Sequence, residues 1–302
     1  FGLYDIMQTL EIVPLDGPRK RNNDNFVLIG ENAQTVSHTQ VSLENGEIKG
    51  FTLVWPAGDE ERRKRILGMM QDSFTRTGGV MSPAAGGDAE QRIDLLSGLE
   101  IRQPRVSRSG FFVDSRGTVV TTTEAVRQCS RITLEGGIEA ELLGQSDALG
   151  VAVLKPEASL SPAQVAELQL AAPRLQSDVA VSGYSYGGIL GAPTLTFGTL
   201  ADLRGLGGEE ELARLVLSAL PGDVGGPVFD AGGAVMGMLL PKATGGKQLP
   251  DDVSFVVDAD RIGRLLSDLG LTPTTTDSLD LMPPEDLTRK ASGMTVLVNC
   301  WE

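Results

Sequence analysis

From about residue 100 to about residue 270, short β-rich runs alternate with glycine-containing turns roughly every 8 to 12 residues. Runs this short cannot present the stripe of a long amphipathic helix, so the stretch predicts an all-β sandwich or barrel. Two helical patterns interrupt it. "GGEEELARL" (207–215) places Glu209, Glu210 and Glu211 where a helix start favours acids, and "DADRIGRLLSDLG" (258–270) aligns Ile262, Leu265, Leu266 and Leu269 before a terminating Gly270.

The first 80 residues follow a different pattern. "NFVLIG" (25–30), "TVSHTQVSL" (35–43) and "EIKGFTLVWP" (47–56) read as strands, with a hairpin turn at Glu44-Asn45-Gly46-Glu47 and with Phe51, Leu53 and Trp55 on one face. "GDEERRKRILGMMQDSF" (58–74) predicts a helix whose core stripe is Ile66, Met69, Met70 and Phe74. We therefore expect a small α+β domain at 1–80, a linker at 81–99 in Gly-, Ala- and Pro-rich sequence, and a β-rich domain at 100–270. A polar, Pro-rich tether then leads to a docking strand at 271–302.

The 302 residues include 40 acidic and 26 basic side chains, a net charge of −14 that would repel a phosphate backbone and argues against nucleic acid as a partner. No apolar run is long enough for a membrane span. The chain begins at Phe1, which suggests a piece of a longer protein whose signal segment lies outside this sequence. The two cysteines, Cys129 and Cys300, lack metal-ligand spacing. In an oxidising compartment they would tie the last strand to the body, and otherwise they are two buried thiols. With no Cys/His cluster and no calcium-loop spacing, neither a metal nor a cofactor is expected.

"DVAVSGYSYGGIL" (178–190) contains a literal G-x-S-x-G around Ser185. A nucleophile elbow needs an imidazole base later in the chain, but the single histidine, His38, lies upstream in a strand-like segment. No long helix pattern follows Ser185 either, so this is not read as an esterase elbow.

Three stretches occur in a telling order: "SGFFVDSRGTVVTTTEAV" (109–126), "ALGVAVLKP" (148–156) and "LPGDVGGPVFDAGGAVMGM" (220–238). Together they resemble the trypsin-like serine proteases, in particular the bacterial Deg or high-temperature-requirement branch. The resemblance implies two six-stranded Greek-key β-barrels, mainly β overall. It places Ser185 in a loop of the second barrel. It also puts Glu124 at the histidine position, Gly150 at the aspartate position and Val224 at the serine position. None of the three can play its part in a Ser-His-Asp mechanism.

What the resemblance leaves is a vestigial oxyanion turn at Gly222 and Asp223, and a pocket with Ser218 at its base and Met238, Leu239 and Leu240 as its wall. The expectation is a pseudoprotease that binds a protein or peptide in the periplasm or another exported compartment of a bacterium. The alternatives are an active serine hydrolase with a non-standard nucleophile or base, and a permanent structural subunit of a larger envelope complex.

Overall fold

The computed structural model describes residues 2–79, 102–171, 173–242 and 249–302, and the chain divides into two compact units, Phe1–Gln103 and Pro104–Glu302. The linker expected at 81–99 lies outside the described residues.

In the first unit a short helix α1 (Leu3–Gln8) precedes an antiparallel sheet in simple chain order, β1 (Arg19–Arg21), β2 (Asn25–Glu31), β3 (Thr35–Glu44) and β4 (Glu47–Pro56), followed by α2 (Glu60–Ser73). The β3–β4 hairpin turns at Asn45-Gly46, as its sequence predicts. One sheet face carries Phe26, Leu28 and Val41 and buries them with Leu10 and Val13. The other faces α2, where Phe51 meets Phe74 with ring centroids 5.5 Å apart and Arg62 lies over Trp55. The expected α2 stripe is only partly correct. No residue of α2 is fully buried, Met69 is 61% exposed, and Leu67 rather than Met69 turns toward the sheet. With its first six residues, Glu60 to Arg65, all charged, α2 covers the sheet without sealing it.

The second unit holds two closed six-stranded antiparallel barrels. The first uses β5 (Val106–Phe112), β6 (Val119–Thr122), β7 (Arg131–Leu134), β8 (Ile138–Ser146) and β9 (Val151–Pro156). A short strand β10 (Glu167–Gln169) leads to the second barrel, formed by β11 (Asp178–Gly183), β12 (Thr194–Asp202), β13 (Leu212–Val216), β14 (Pro227–Asp230), β15 (Val235–Leu239) and β16 (Val253–Asp258). Then follow α3 (Ala259–Asp268), β17 (Thr274–Thr276), α4 (Pro284–Met294) and β18 (Thr295–Trp301).

The second barrel runs β11-β12-β13-β16-β15-β14 and closes through β14 on β11, with β10 and β17 added in parallel beside β15. Counted in chain order this is 1-2-3-6-5-4. The first barrel runs β18-β5-β6-β9-β8-β7 and closes through β7 on β18. It has the same order only if the C-terminal strand takes position one. The strand expected to dock at the C-terminus is thus a wall of the first barrel, paired with β5 from Thr295 opposite Phe111 to Cys300 opposite Val106.

Each barrel has an interior cluster, around Val119, Leu134, Leu154 and Val298 in the first and around Val181, Leu200, Leu215 and Val228 in the second. A third cluster joins the outer faces of both barrels to α3 and α4 through Phe111, Val153, Phe229, Ile262 and Met294. Strand β9 is buried on both faces, which explains the unbroken apolar run "VAVL".

Two expectations fail here. "GGEEELARL" is no helix: Glu209–Glu211 lie in a turn and Leu212–Val216 form β13, pairing along its length with β12 and β16. Alternation of Ala213 and Leu215 into the barrel overrides a weak local helix preference. The C-terminal tether contains α4, with prolines at its start, acids in its first turn, and Leu287, Ala291 and Met294 buried on one face.

Cys129 and Cys300 form a disulfide across 171 residues, pinning β18 beside the turn that follows β6. Replacing both by serine should lower stability by about 3 to 5 kcal/mol in chemical denaturation. Deleting residues 295–302 should abolish cooperative unfolding of the second unit altogether, since it opens the first barrel.

Candidate functional site

A junction between the barrels brings together the segments with the protease-like motifs. From the first barrel come β5, β6 and a 3-10 turn at Thr123–Ala125; from the second come the loop after β11 and a 3-10 turn at Pro221–Asp223. Ser109 on β5 is fully buried and holds them together. Its hydroxyl donates to the Gly222 carbonyl at 2.7 Å and accepts from the Tyr184 N–H at 2.8 Å. Its N–H donates to the Val224 carbonyl at 2.9 Å, while its own carbonyl accepts from the Thr121 hydroxyl at 2.7 Å.

Around this junction the three expected triad positions each have a definite alternative occupation. Glu124 forms a two-point ion pair with Arg108, with Nη2 to Oε1 at 2.6 Å and Nε to Oε2 at 3.2 Å. That fork fixes both carboxylate oxygens on a cation. Gly150 adopts φ +70°, and its carbonyl accepts from the Thr123 N–H at 3.0 Å, which places the two positions side by side. A side chain there would be strained, and its Cβ would lie 3.3 Å from Leu240 Cδ2. Val224 is 7% exposed and joins the apolar interior of the second barrel with Val181, Leu217 and Leu239.

Several N–H groups of the turn that resembles an oxyanion loop are already bonded to backbone carbonyls. Asp223 N–H donates to Leu220 O at 3.0 Å, Gly225 N–H to Leu239 O at 2.8 Å and Gly226 N–H to Asp223 O at 2.9 Å. Asp223 itself is 1% exposed. Its Oδ2 accepts from Leu220 N–H at 2.8 Å and its Oδ1 from the Ser185 hydroxyl at 2.5 Å, with Thr194 Oγ1 a further 2.6 Å from Ser185 Oγ. Burial pushes the Asp223 carboxyl above its ordinary range, against the opposing pull of those hydrogen bonds. Ser185, singled out by its G-x-S-x-G setting, therefore sits in a turn as a partner of a buried carboxyl.

The expected pocket residues do not share one surface. Ser218 is exposed in the segment after β13, while Met238 faces the cluster between the barrels and Leu239 the interior of the second. Leu240 is half-buried and lies over Gly150. Sequence reasoning missed Arg108 and Ser109. Neither carries a local signal, because their partners are 16 and 113 residues away. Among the described residues no group of three or more His, Cys, Asp or Glu side chains is placed to hold a metal ion.

Residues 108–238 match the family model described as trypsin-like peptidase domain. Over those residues the chain is similar to a trypsin-like peptidase domain. The protein y4bJ of Sinorhizobium fredii is 25% identical over 205 residues, covering 64% of this chain and 32% of that protein, so the chain spans about a third of that relative's length. The crystal structure of the serine endoprotease from Yersinia pestis aligns with a TM-score of 0.46 at 21% identity, over 55% of this chain and 58% of that one.

The buried carboxyl of the trypsin-like domain makes a pH-dependent prediction. A folded-state pKa above the unfolded one means that the native protein holds a proton longer, so this group's contribution to stability falls as pH rises from about 4. Asp223→Asn can still accept from Leu220 N–H and can donate to Ser185, yet it never ionises. Its stability relative to wild type should therefore rise with pH in urea titrations run between about pH 4 and neutral. Asp258, pushed up to about 6 by burial, titrates in both proteins and cancels from the difference. Asp223→Ala should instead cost about 2 to 3 kcal/mol, since it strands the Leu220 N–H.

Proposed function

We propose that the trypsin-like domain is catalytically inactive and works by binding a protein or peptide. The observation that carries this reading is Val224: an aliphatic side chain in the barrel's apolar interior stands where a nucleophilic hydroxyl belongs. Glu124, held by Arg108, cannot deliver a base to that point, and Gly150 has no side chain with which to orient one. Losing any member of such a triad leaves only about 10³ to 10⁴-fold catalysis over water.

The disulfide supports an oxidising, exported compartment such as the periplasm, consistent with the resemblance to the bacterial Deg branch. Binding, rather than permanent assembly into an envelope complex, is the reading we adopt. A scaffold subunit would be recovered from membranes in fixed stoichiometry with its neighbours, whereas a peptide binder would not.

A second reading has one observation in its favour. The 2.5 Å contact from Ser185 to a carboxyl with a raised pKa is the arrangement from which an unconventional hydroxyl nucleophile would be built. One experiment separates the two. Purified protein incubated with a fluorophosphonate probe and with casein or peptide esters should show no covalent label and no turnover. A label on Ser185, lost in Ser185→Ala, would establish the hydrolase instead. Restoring a hydroxyl alone, Val224→Ser, should give neither label nor turnover, because no imidazole accompanies it.

A further inference from the structure

The first unit contains a cleft of about 220 Å³ between α2 and the face of the sheet that α2 incompletely covers. Ile29 on β2, Val36 on β3, Leu53 on β4 and Leu67 on α2 give it an apolar lining. His38 also lines it, paired in register with Ile29 on one side and Leu53 on the other. The ring is half-buried, and its Nε2 has no hydrogen-bond partner among the described residues. An unpaired imidazole nitrogen shut away from water costs free energy unless something else satisfies it. Burial also lowers the histidine's pKa, so the ring is neutral at physiological pH.

Three charged residues border the same cleft, Glu31, Arg63 and Lys64. Glu31 ends β2, and Arg63 projects from the first turns of α2. Neither forms an ion pair within 4 Å among the described residues, with each other or with a third group, whereas the neighbouring Lys64 is held by Glu60 at 2.6 Å. An apolar void of roughly 150 Å³ accepts a benzene ring, so this space suits one ring or a branched aliphatic chain with a short polar head.

We propose that this cleft binds a free amino acid with a large apolar side chain: the side chain against the four aliphatic residues and the His38 ring, the α-carboxylate toward Arg63 and the α-ammonium toward Glu31. The zwitterion is favoured over a simple acid or amine because it alone matches both Glu31 and Arg63, the two bordering charges without an ion pair within 4 Å among the described residues. A ligand of one sign would leave the opposite charge facing its own kind. This inference concerns the first unit only and does not rest on the reading of the barrels.

His38 is the chain's single histidine, so its ring resonances are unambiguous in a nuclear magnetic resonance spectrum of the whole protein. Titration with L-phenylalanine should shift the His38 Cε1 proton saturably. Phenylacetate, which lacks the amine, and phenethylamine, which lacks the carboxylate, should each bind about tenfold more weakly or worse, and glycine should leave the resonance unmoved. Arg63→Gln and Glu31→Gln alter side chains that are not in the core, and their amide dispersion reports folding. Each should weaken L-phenylalanine by a similar factor, and Arg63→Gln should leave phenethylamine unaffected. Absence of any saturable shift would overturn the proposal. So would equal binding of phenylalanine and its singly charged analogues, or undiminished binding in both folded variants.

Discussion

The second unit depends on one buried residue more than on any other. Ser109 uses its hydroxyl, N–H and carbonyl to join β5, β6, the loop after β11 and the turn at 220–224. Every one of these bonds is shielded from water, where an unmade partner costs the full desolvation penalty. A further bond, from the Thr295 hydroxyl to Ser182 Oγ at 2.7 Å, links the start of β18 to β11 in the same buried region. The relative position of the two barrels, and hence the shape of everything between them, follows from these short polar contacts set within an apolar cluster.

The closing of the first barrel makes that arrangement non-local. Its first position is filled by the last strand of the chain, so a barrel that begins at Val106 is complete only when Trp301 is in place. The disulfide fastens the same strand to the segment after β6, a few residues past Glu124. Loop closure over such a distance is entropically expensive before any contact rewards it, and a covalent tie removes part of that cost from the unfolded chain. Charge is paired over a much shorter span: Arg108 on β5 neutralises Glu124, 16 residues on.

Local features were legible wherever a residue pattern and its consequence lie within a few positions. The Asn45-Gly46 hairpin, α2, α3 ending at Gly270, and the glycine-punctuated strands follow from turn chemistry and periodicity. The three ordered motifs pointed to two barrels, and the cysteine pairing was open to inference from compartment and position. Reading failed where tertiary packing outweighed local preference. Glu209–Glu211 resemble a helix start, yet the next five residues are claimed by two neighbouring strands. Leu287, Ala291 and Met294 carry a helical stripe that the surrounding prolines and threonines conceal, and Met69 has the spacing of a core residue but points to solvent.

By itself the sequence determined which chemical groups are present: no imidazole beyond His38, valine, glycine and glutamate at three motif positions, and a heavy excess of acid. Composition and order along the chain are covalent facts and need no folding to be true. Only the tertiary structure decided what those groups touch. It buried Val224 in an apolar interior, gave Glu124 its arginine, set Ser185 on Asp223, and left His38 Nε2 without a partner in a residue that lines a cleft with Glu31 and Arg63. Each of those outcomes joins residues remote in sequence through contacts of a few ångströms, and hydrogen bonding, ion pairing and desolvation act only at that range.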